Sequence, residues 1–484
     1  MILKQASWSM IGSIYGFVVG FFLKIYLINA VGTEGYGKYI IAMGVISTIT
    51  AFIALSIPQV LLRFLPAYIE KKEYEKASNL ASFSLQFLLG IGSIVALLVF
   101  LFHNQISLIF HDHDKLLSLV IMFSAFYIPL SLYQSIMSAS YRSLLKIREI
   151  ILYGTFVMIT LRALSVFIIY SFATSIYYFI FIELITQLIV LYLLTKKFDT
   201  SKFTFFKPFP MKEIIQDKQI IDYGKKMYFY ALIGIAGGYT ISLIMSLYLP
   251  ASDIGIYAIL GTLGGLTAFL LNNLNSVFAP VISKYHAAGE IEKLGMLFKD
   301  TTFVINIVSA PFIVLLILFS HDILSLYGHH VSDYTLALAV LILGSYYNLF
   351  VGNSGMLLLM GGWENDEIKI KIGNTIFLIL SSLIFISEFG LIAAVWISTV
   401  SSFLVNSFHV FFIKKRFGFT PWEKYSLFIF IATIGVIYYF GFRTFPYKYS
   451  IFDYIWVGLL VPLAYWLPFY KKIMAIIKTI KENK

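Results

Sequence analysis

Fourteen apolar runs of about 17–28 residues, long enough to cross a bilayer as helices, take up most of this chain. No other feature restricts its fold as much. In hydrocarbon a backbone satisfies its own N–H and C=O groups only as a helix or a closed barrel, and runs of this length are helical. They fall at about residues 7–30, 38–62, 79–102, 116–140, 152–171, 174–195, 227–248, 255–281, 302–320, 333–360, 370–387, 390–413, 425–441 and 451–470. The tenth is expected to break near Gly352. The first is too long, and is followed by too many others, to be a cleaved leader. The expected fold class is all-α: a polytopic membrane protein of about 14 transmembrane helices.

Composition agrees. Of 484 residues 59% are hydrophobic and 13% charged, against about 45–50% and about 25% in a soluble domain. This excludes a disordered chain, a disulfide-stapled secreted domain and an ordinary cytosolic enzyme. With no cysteine there is no thiolate catalysis, iron–sulfur cluster or zinc–thiolate site. The net charge of +11 is not a nucleic-acid footprint, because the basic residues sit between apolar runs. With fourteen spans both termini share a side. Thirty of the 36 lysines and arginines fall in the loops and tails of that side, four in the opposite loops, and Lys24 and Arg162 within spans. Positive charge is retained in the cytoplasm, so both termini are expected to be cytoplasmic.

The chain repeats itself. Gly37 and Tyr39 match Gly255 and Tyr257 at an offset of 218, and Tyr68, Glu73, Glu75 and Lys76 match Tyr285, Glu290, Glu292 and Lys293 at an offset of 217. The offset spans six helices, an even number, so the copies share one orientation. This is the parallel transporter repeat, related by an axis along the membrane normal. The expected organisation is an N-terminal lobe at 1–195 (helices 1–6), a cytoplasmic linker at 196–226, a C-terminal lobe at 227–413 (helices 7–12), and helices 13–14 with a basic tail at 414–484. The linker interleaves eight lysines with Phe203, Phe205, Phe206 and Phe209. It reads either as a segment lying on an anionic membrane surface or as a solvated loop.

Gly32 to Tyr39, then Arg63 with its Lys/Glu-rich loop, and the matching run from Asp253 to Lys293 resemble the polysaccharide transporters of the MOP exporter superfamily. Within it the chain is most similar to Wzx-type O-antigen flippases. The resemblance implies a multi-pass protein of the bacterial inner membrane, without a cofactor. Its substrate would be an undecaprenyl-pyrophosphate-linked oligosaccharide, moved from the cytoplasmic to the periplasmic leaflet by alternating access. It also implies coupling to a proton or sodium gradient, as in an antiporter, and membrane lipids and the polysaccharide polymerase machinery as partners. Lipid II flippases share the fourteen-span layout. Multidrug MATE exporters usually have twelve.

Charges inside the spans are the site candidates. Arg162 lies about ten residues before the turn at 172–173 and Glu183 about ten after it, so adjacent antiparallel helices hold both about 15 Å below that end. Gln187 shares the face of Glu183. Arg162 is the candidate contact to the lipid pyrophosphate, since its planar fork grips phosphate oxygens and keeps its charge. The alternative is an ion pair that staples two helices. Lys24 either lines the cavity or snorkels to the surface. Arg63, like Arg142, stands at the cytoplasmic mouth, where topology alone also explains a basic residue. Asn272, Asn273 and Asn275 crowd the eighth span, to meet sugar hydroxyls or to bond between helices. Tyr239, Thr240 and Ser242 form a weaker polar patch. His111 and His113 have only weak metal-ligand spacing, and His409 reads as a packed core histidine. There is no nucleotide-binding glycine loop. The loops opposite the termini are too short for the domain of a membrane-embedded polymerase or ligase, so no enzyme is expected. An exporter of lipophilic cations would need unpaired carboxylates in its spans.

Overall fold

The computed structural model describes residues 2–110, 115–209, 211–442 and 450–474; some side chains within these ranges, including all of 267–281, lie outside the description. Among the described residues every regular element is helical. Ten helices are long and apolar enough to cross a membrane, and two of these are each a pair of spans. Ile2–Ile53 is two helices joined at Gly32 (φ 75°, ψ 167°), and Glu364–Phe417 is two joined at Gly390 (φ 60°, ψ −142°). Both sharp joints need a positive φ that glycine adopts without a Cβ penalty. With the broken seventh helix (Lys218–Gly238 and Thr240–Tyr248) and the eighth (Ala251–Ala287), fourteen spans are accounted for. The tenth breaks at Gly352, between Thr335–Val351 and Ser354–Met360.

The second span also breaks, and no glycine lies at that point. It stops at Ile53, turns through Leu55 (φ 46°) and Ser56 (φ 57°), and resumes as Ile57–Glu70 with Pro58 in its first turn. Left-handed backbone at a non-glycine residue costs about 1–3 kcal/mol. In a membrane such irregular backbone is tolerated where it is buried in protein or lines a cavity.

By contact the chain forms two compact units, Met1–Gly255 and Ile256–Lys484. In the first unit the first span lies tight against the fifth. A Cβ on Gly12 would stand 2.4 Å from Ile151 Cγ2, and one on Gly16 3.1 Å from Ile159 Cδ1. Small residues four apart are the usual means of close helix approach in lipid. The fifth span carries a π-helical stretch there, Leu152–Val157, followed by Met158–Tyr170. The outer faces are as apolar as the core, with Phe167, Ile185 and Tyr192 exposed, as lipid requires.

The repeat is visible in local geometry. Tyr74–Leu101 and Ile291–Leu318 are matched helices of 28 residues each. Each begins after a glutamate with nearly the same backbone angles, Glu73 and Glu290. Each glutamate N–H donates to the matched tyrosine carbonyl, Tyr68 or Tyr285. Lys76 pairs with Glu73 at 3.2 Å and Lys293 with Glu290 at 3.0 Å.

Two of the four phenylalanines that the sequence singles out in the linker, Phe203 and Phe205, face neither lipid nor water. Phe198, Phe203 and Phe205 are buried and pack edge-on or tilted against one another, with Phe198 also edge-on to Tyr141. Its backbone is tied to the third span: Ser82 Oγ donates to the Thr204 carbonyl, and Gln86 Nε2 to that of Lys207 at 2.6 Å. Burying three phenylalanine rings gains more than solvating them, so the segment docks on helix ends. Only Phe206 and Phe209 remain exposed.

Candidate functional site

The fifth and sixth spans bring Arg162 and Glu183 together. Tyr15 and Thr160 share a hydroxyl hydrogen bond of 2.6 Å, which with the close-packed glycines fixes the fifth span two residues before Arg162. Across the turn the sixth span, Ile176–Lys196, presents Glu183, 4% exposed. Arg162 Nη1 lies 2.7 Å from Glu183 Oε1. Tyr39, from the repeat motif, donates to Glu183 Oε2 at 2.9 Å. Tyr127, at the start of the helix Tyr127–Ser143, lies close enough to feel the charges of both Glu183 and Arg162. Nε and Nη2 of Arg162 remain buried without a partner. Buried donors left unmade cost about 1–3 kcal/mol each. The site thus has spare capacity for an acceptor.

Tyr127 also faces a cavity of about 520 Å³. The break in the second span forms one wall with Ala54, Ser56 and Pro58. Ser131 and Ser135 stand on the wall of Tyr127, and Ser47, Thr48 and Gln59 add polar groups. Ser56, 3% exposed, and Thr48 have hydroxyl oxygens without partners. The hydroxyls of Ser131 and Ser135 donate to their own helix, which leaves their oxygens free to accept. A cavity whose mainly apolar wall carries several hydroxyls, near a guanidinium with two unpartnered nitrogens, has room for a ligand with both apolar and hydroxyl groups beside an anionic one.

The second unit offers an internal comparison. Tyr257, which matches Tyr39, bonds Ser398 Oγ at 2.5 Å. Both tyrosines reach the last span of their six. In the second unit a neutral hydroxyl suffices, so charge is not needed to hold this tie.

The remaining candidates fall elsewhere. Gln187 is fully buried and bonds Gln134 on the fourth span, a tie between helices. The Lys24 ammonium lies 6.0 Å from the centre of the Tyr36 ring. Arg63 is exposed, its guanidinium 4.2 Å from the Tyr223 ring centre, a cation–π anchor. None of Arg162, Glu183, Gln187, Lys24 and Arg63 lines the cavity itself; the Arg162–Glu183 pair reaches it only by way of Tyr127. The side chains of Asn272, Asn273 and Asn275 lie outside the described residues, as do His111 and His113. Among the described residues no cluster of three or more metal-ligating side chains occurs. Of the cavity hydroxyl residues, sequence reasoning named Tyr239 but missed Tyr127 and the serines and threonines, and it read Tyr39 only as part of the repeat. Tyr127, Ser131 and Ser135 recur every four residues, a polar stripe on one helix face that helical spacing reveals.

The fold is that of the MOP superfamily transporters. It resembles a lipid II flippase, MurJ, in an inward closed conformation (14% identity, 98% of this chain and 100% of that one, TM-score 0.73). It also resembles an inward-facing multidrug resistance MATE family transporter (13%, 83% and 94%, 0.67). A third likeness is a MOP superfamily transporter from Pyrococcus furiosus (14%, 86% and 96%, 0.58), whose binding pocket is described as reversed in polarity. No curated protein matches the sequence significantly. Residues 228–360 match the MatE family model. Residues 2–286 match the model of the polysaccharide biosynthesis protein family; that is more than half of the chain, and the chain belongs to this family.

Proposed function

We propose that this multi-pass membrane protein is a Wzx-type flippase. It carries an undecaprenyl-pyrophosphate-linked oligosaccharide, an O-antigen or other surface-glycan repeat unit, from the cytoplasmic to the periplasmic leaflet of a bacterial inner membrane. The observation that carries the reading is Arg162. Its side chain is mostly covered, with Nε and Nη2 buried; it is bound to Glu183 through Nη1, and Tyr127 stands between this pair and a cavity partly lined by hydroxyls. The pyrophosphate meets the free face of the guanidinium fork, sugar hydroxyls take the chamber, and the lipid tail stays in the bilayer. A proton or sodium gradient, or the membrane potential at about 2.3 kcal/mol per charge per 100 mV, drives the cycle.

Lipid II carries the same pyrophosphate, and the likeness to its flippase over 98% of this chain supports that substrate as a second reading. An exporter of drugs or small cations draws support from the match of residues 228–360. Against it, the midspan carboxylate of the first unit, Glu183, is neutralised by Arg162. The test is glycan display in a host deleted for its own flippase and supplied with a matching glycan pathway. Restored display that vanishes in Arg162→Ala supports flipping. Absent display despite confirmed insertion shifts the assignment to the exporter, read by drug-efflux assays.

A further inference from the structure

The second unit holds a set of buried charges that the candidate site does not use. Glu367, 4% exposed, lies in the first turn of the eleventh span, and His409, 7% exposed, in the last third of the twelfth. His409 Nε2 is 2.7 Å from Glu367 Oε2. On the other carboxylate oxygen, Oε1, Lys371 Nζ stands at 3.6 Å. Beside the pair Asp366 takes a hydrogen bond of 2.8 Å from Arg416 Nε, with Lys369 Nζ at 3.8 Å. The Arg416 guanidinium lies 3.9 Å from the centre of the Trp363 ring. From the tenth span the segment Ser354–Met360, which carries no charged residue, closes over the pair at Gly355. A Cβ there would stand 3.2 Å from Glu367 Oε1 and 3.3 Å from His409 Cε1. From the eighth helix His286 packs against Phe417 and faces Gly362.

The charges sort themselves. Asp366 and Arg416 neutralise each other, and Lys369 is mostly exposed. That leaves Glu367 with one half-exposed lysine and one buried imidazole. A structural tie needs only a fixed donor, as Ser398 supplies to Tyr257 in the same unit. Histidine adds a second ring nitrogen and a charge that changes between about pH 5 and 8. With Nε2–H held on the carboxylate, the ring binds or releases a proton at Nδ1 without losing the hydrogen bond.

We propose that Glu367 and His409 form a proton-binding site of the second unit, imidazolium–carboxylate when loaded and imidazole–carboxylate when empty. Its occupancy changes the charge held between the eleventh and twelfth spans, against the backbone of the segment that follows the break at Gly352. Proton binding follows from this geometry alone; only the use of the proton to drive glycan transport rests on the flippase reading.

The experiment is a pH titration, between about pH 5 and 8, of the full chain purified into lipid nanodiscs. Imidazole and imidazolium bands are followed by infrared difference spectroscopy. Subtracting His409→Gln from the unsubstituted protein isolates one histidine. The expected result is a single titration in this window, whose proton affinity shifts about tenfold or more in Glu367→Gln. Glu367→Asp, which keeps the charge, serves in its place if Glu367→Gln is not recovered as a monodisperse protein, and moves the midpoint in the same way by lengthening the pair. No titration of His409 in the window, or a midpoint unmoved by change at Glu367, overturns the proposal. No glycan is present, so failure here leaves the flippase reading standing. Conversely, failed glycan display leaves the proton site standing.

Discussion

Gly37 and Gly255 meet backbone to backbone. A Cβ on Gly37 would stand 1.7 Å from the Ala251 carbonyl oxygen, and one on Gly255 2.1 Å from that of Thr33. The relation is reciprocal, since each glycine faces the carbonyl four residues before the other. These are also the two glycines that the repeat aligns. Neither position has room for a methyl group.

Gly37→Ala and Gly255→Ala should each destabilise the protein by at least the cost of overpacking, about 1–3 kcal/mol. Gly90, with nothing within 4 Å of its added Cβ, provides the contrast. Thermal unfolding in detergent should show a lower Tm for the first two and none for Gly90→Ala. An unchanged Tm in Gly37→Ala would show that the contact yields freely.

Arg162→Ala strands Glu183 in the core, and breaking a buried pair costs about 3–5 kcal/mol. Arg162→Ala with Glu183→Gln should recover stability without transport. Arg162→Lys keeps the charge but loses the fork and should transport poorly. Insertion and glycan display are measured together. Full display from the stable double variant would mean that the arginine only staples helices.

Tyr39→Phe removes a donor to a buried carboxylate and should cost about 1–3 kcal/mol in stability. Tyr127→Phe removes a hydroxyl from the cavity wall beside the pair, so its effect should fall on transport more than on unfolding. Equal losses in both assays for both variants would argue against a special place for Tyr127.

On the linker, hydrogen bonds from Ser201, then Lys146 at 2.9 Å, hold the Asp199 carboxyl well below the usual carboxylate range. A lowered folded value means that the contribution is complete above the ordinary aspartate value of about 3.9 and is lost as pH falls below it. The effect should be small, as for any exposed pair. Unfolding followed down through that range should therefore flatten in Asp199→Asn. The same acid slope in the variant would assign it to other carboxylates.

Much of the architecture was legible from residues alone. Run lengths marked the spans, and the matched residues of the repeat pointed to the two helices that begin alike, Tyr74–Leu101 and Ile291–Leu318. Equal distances from the turn at 172–173 placed Arg162 and Glu183 at one depth, where the structure pairs them. The break near Gly352 announced itself by its glycine. The one at Leu55–Ser56 did not, because the only sign is Pro58 beyond it. The linker phenylalanines read as facing lipid or water because nothing in their spacing names the helix ends they pack on.

The chain by itself determined that it crosses a membrane and about how often, since this depends on hydrophobic length. Tertiary structure alone decided that Tyr39 and Tyr127 join the Arg162–Glu183 pair, that hydroxyls of two spans share a cavity with the broken one, and that Glu367 finds His409. The reason is the solvent. In lipid the outer face of a helix is as apolar as its inner face, so periodicity loses its power to say which side points inward, and only packing against neighbouring helices settles it.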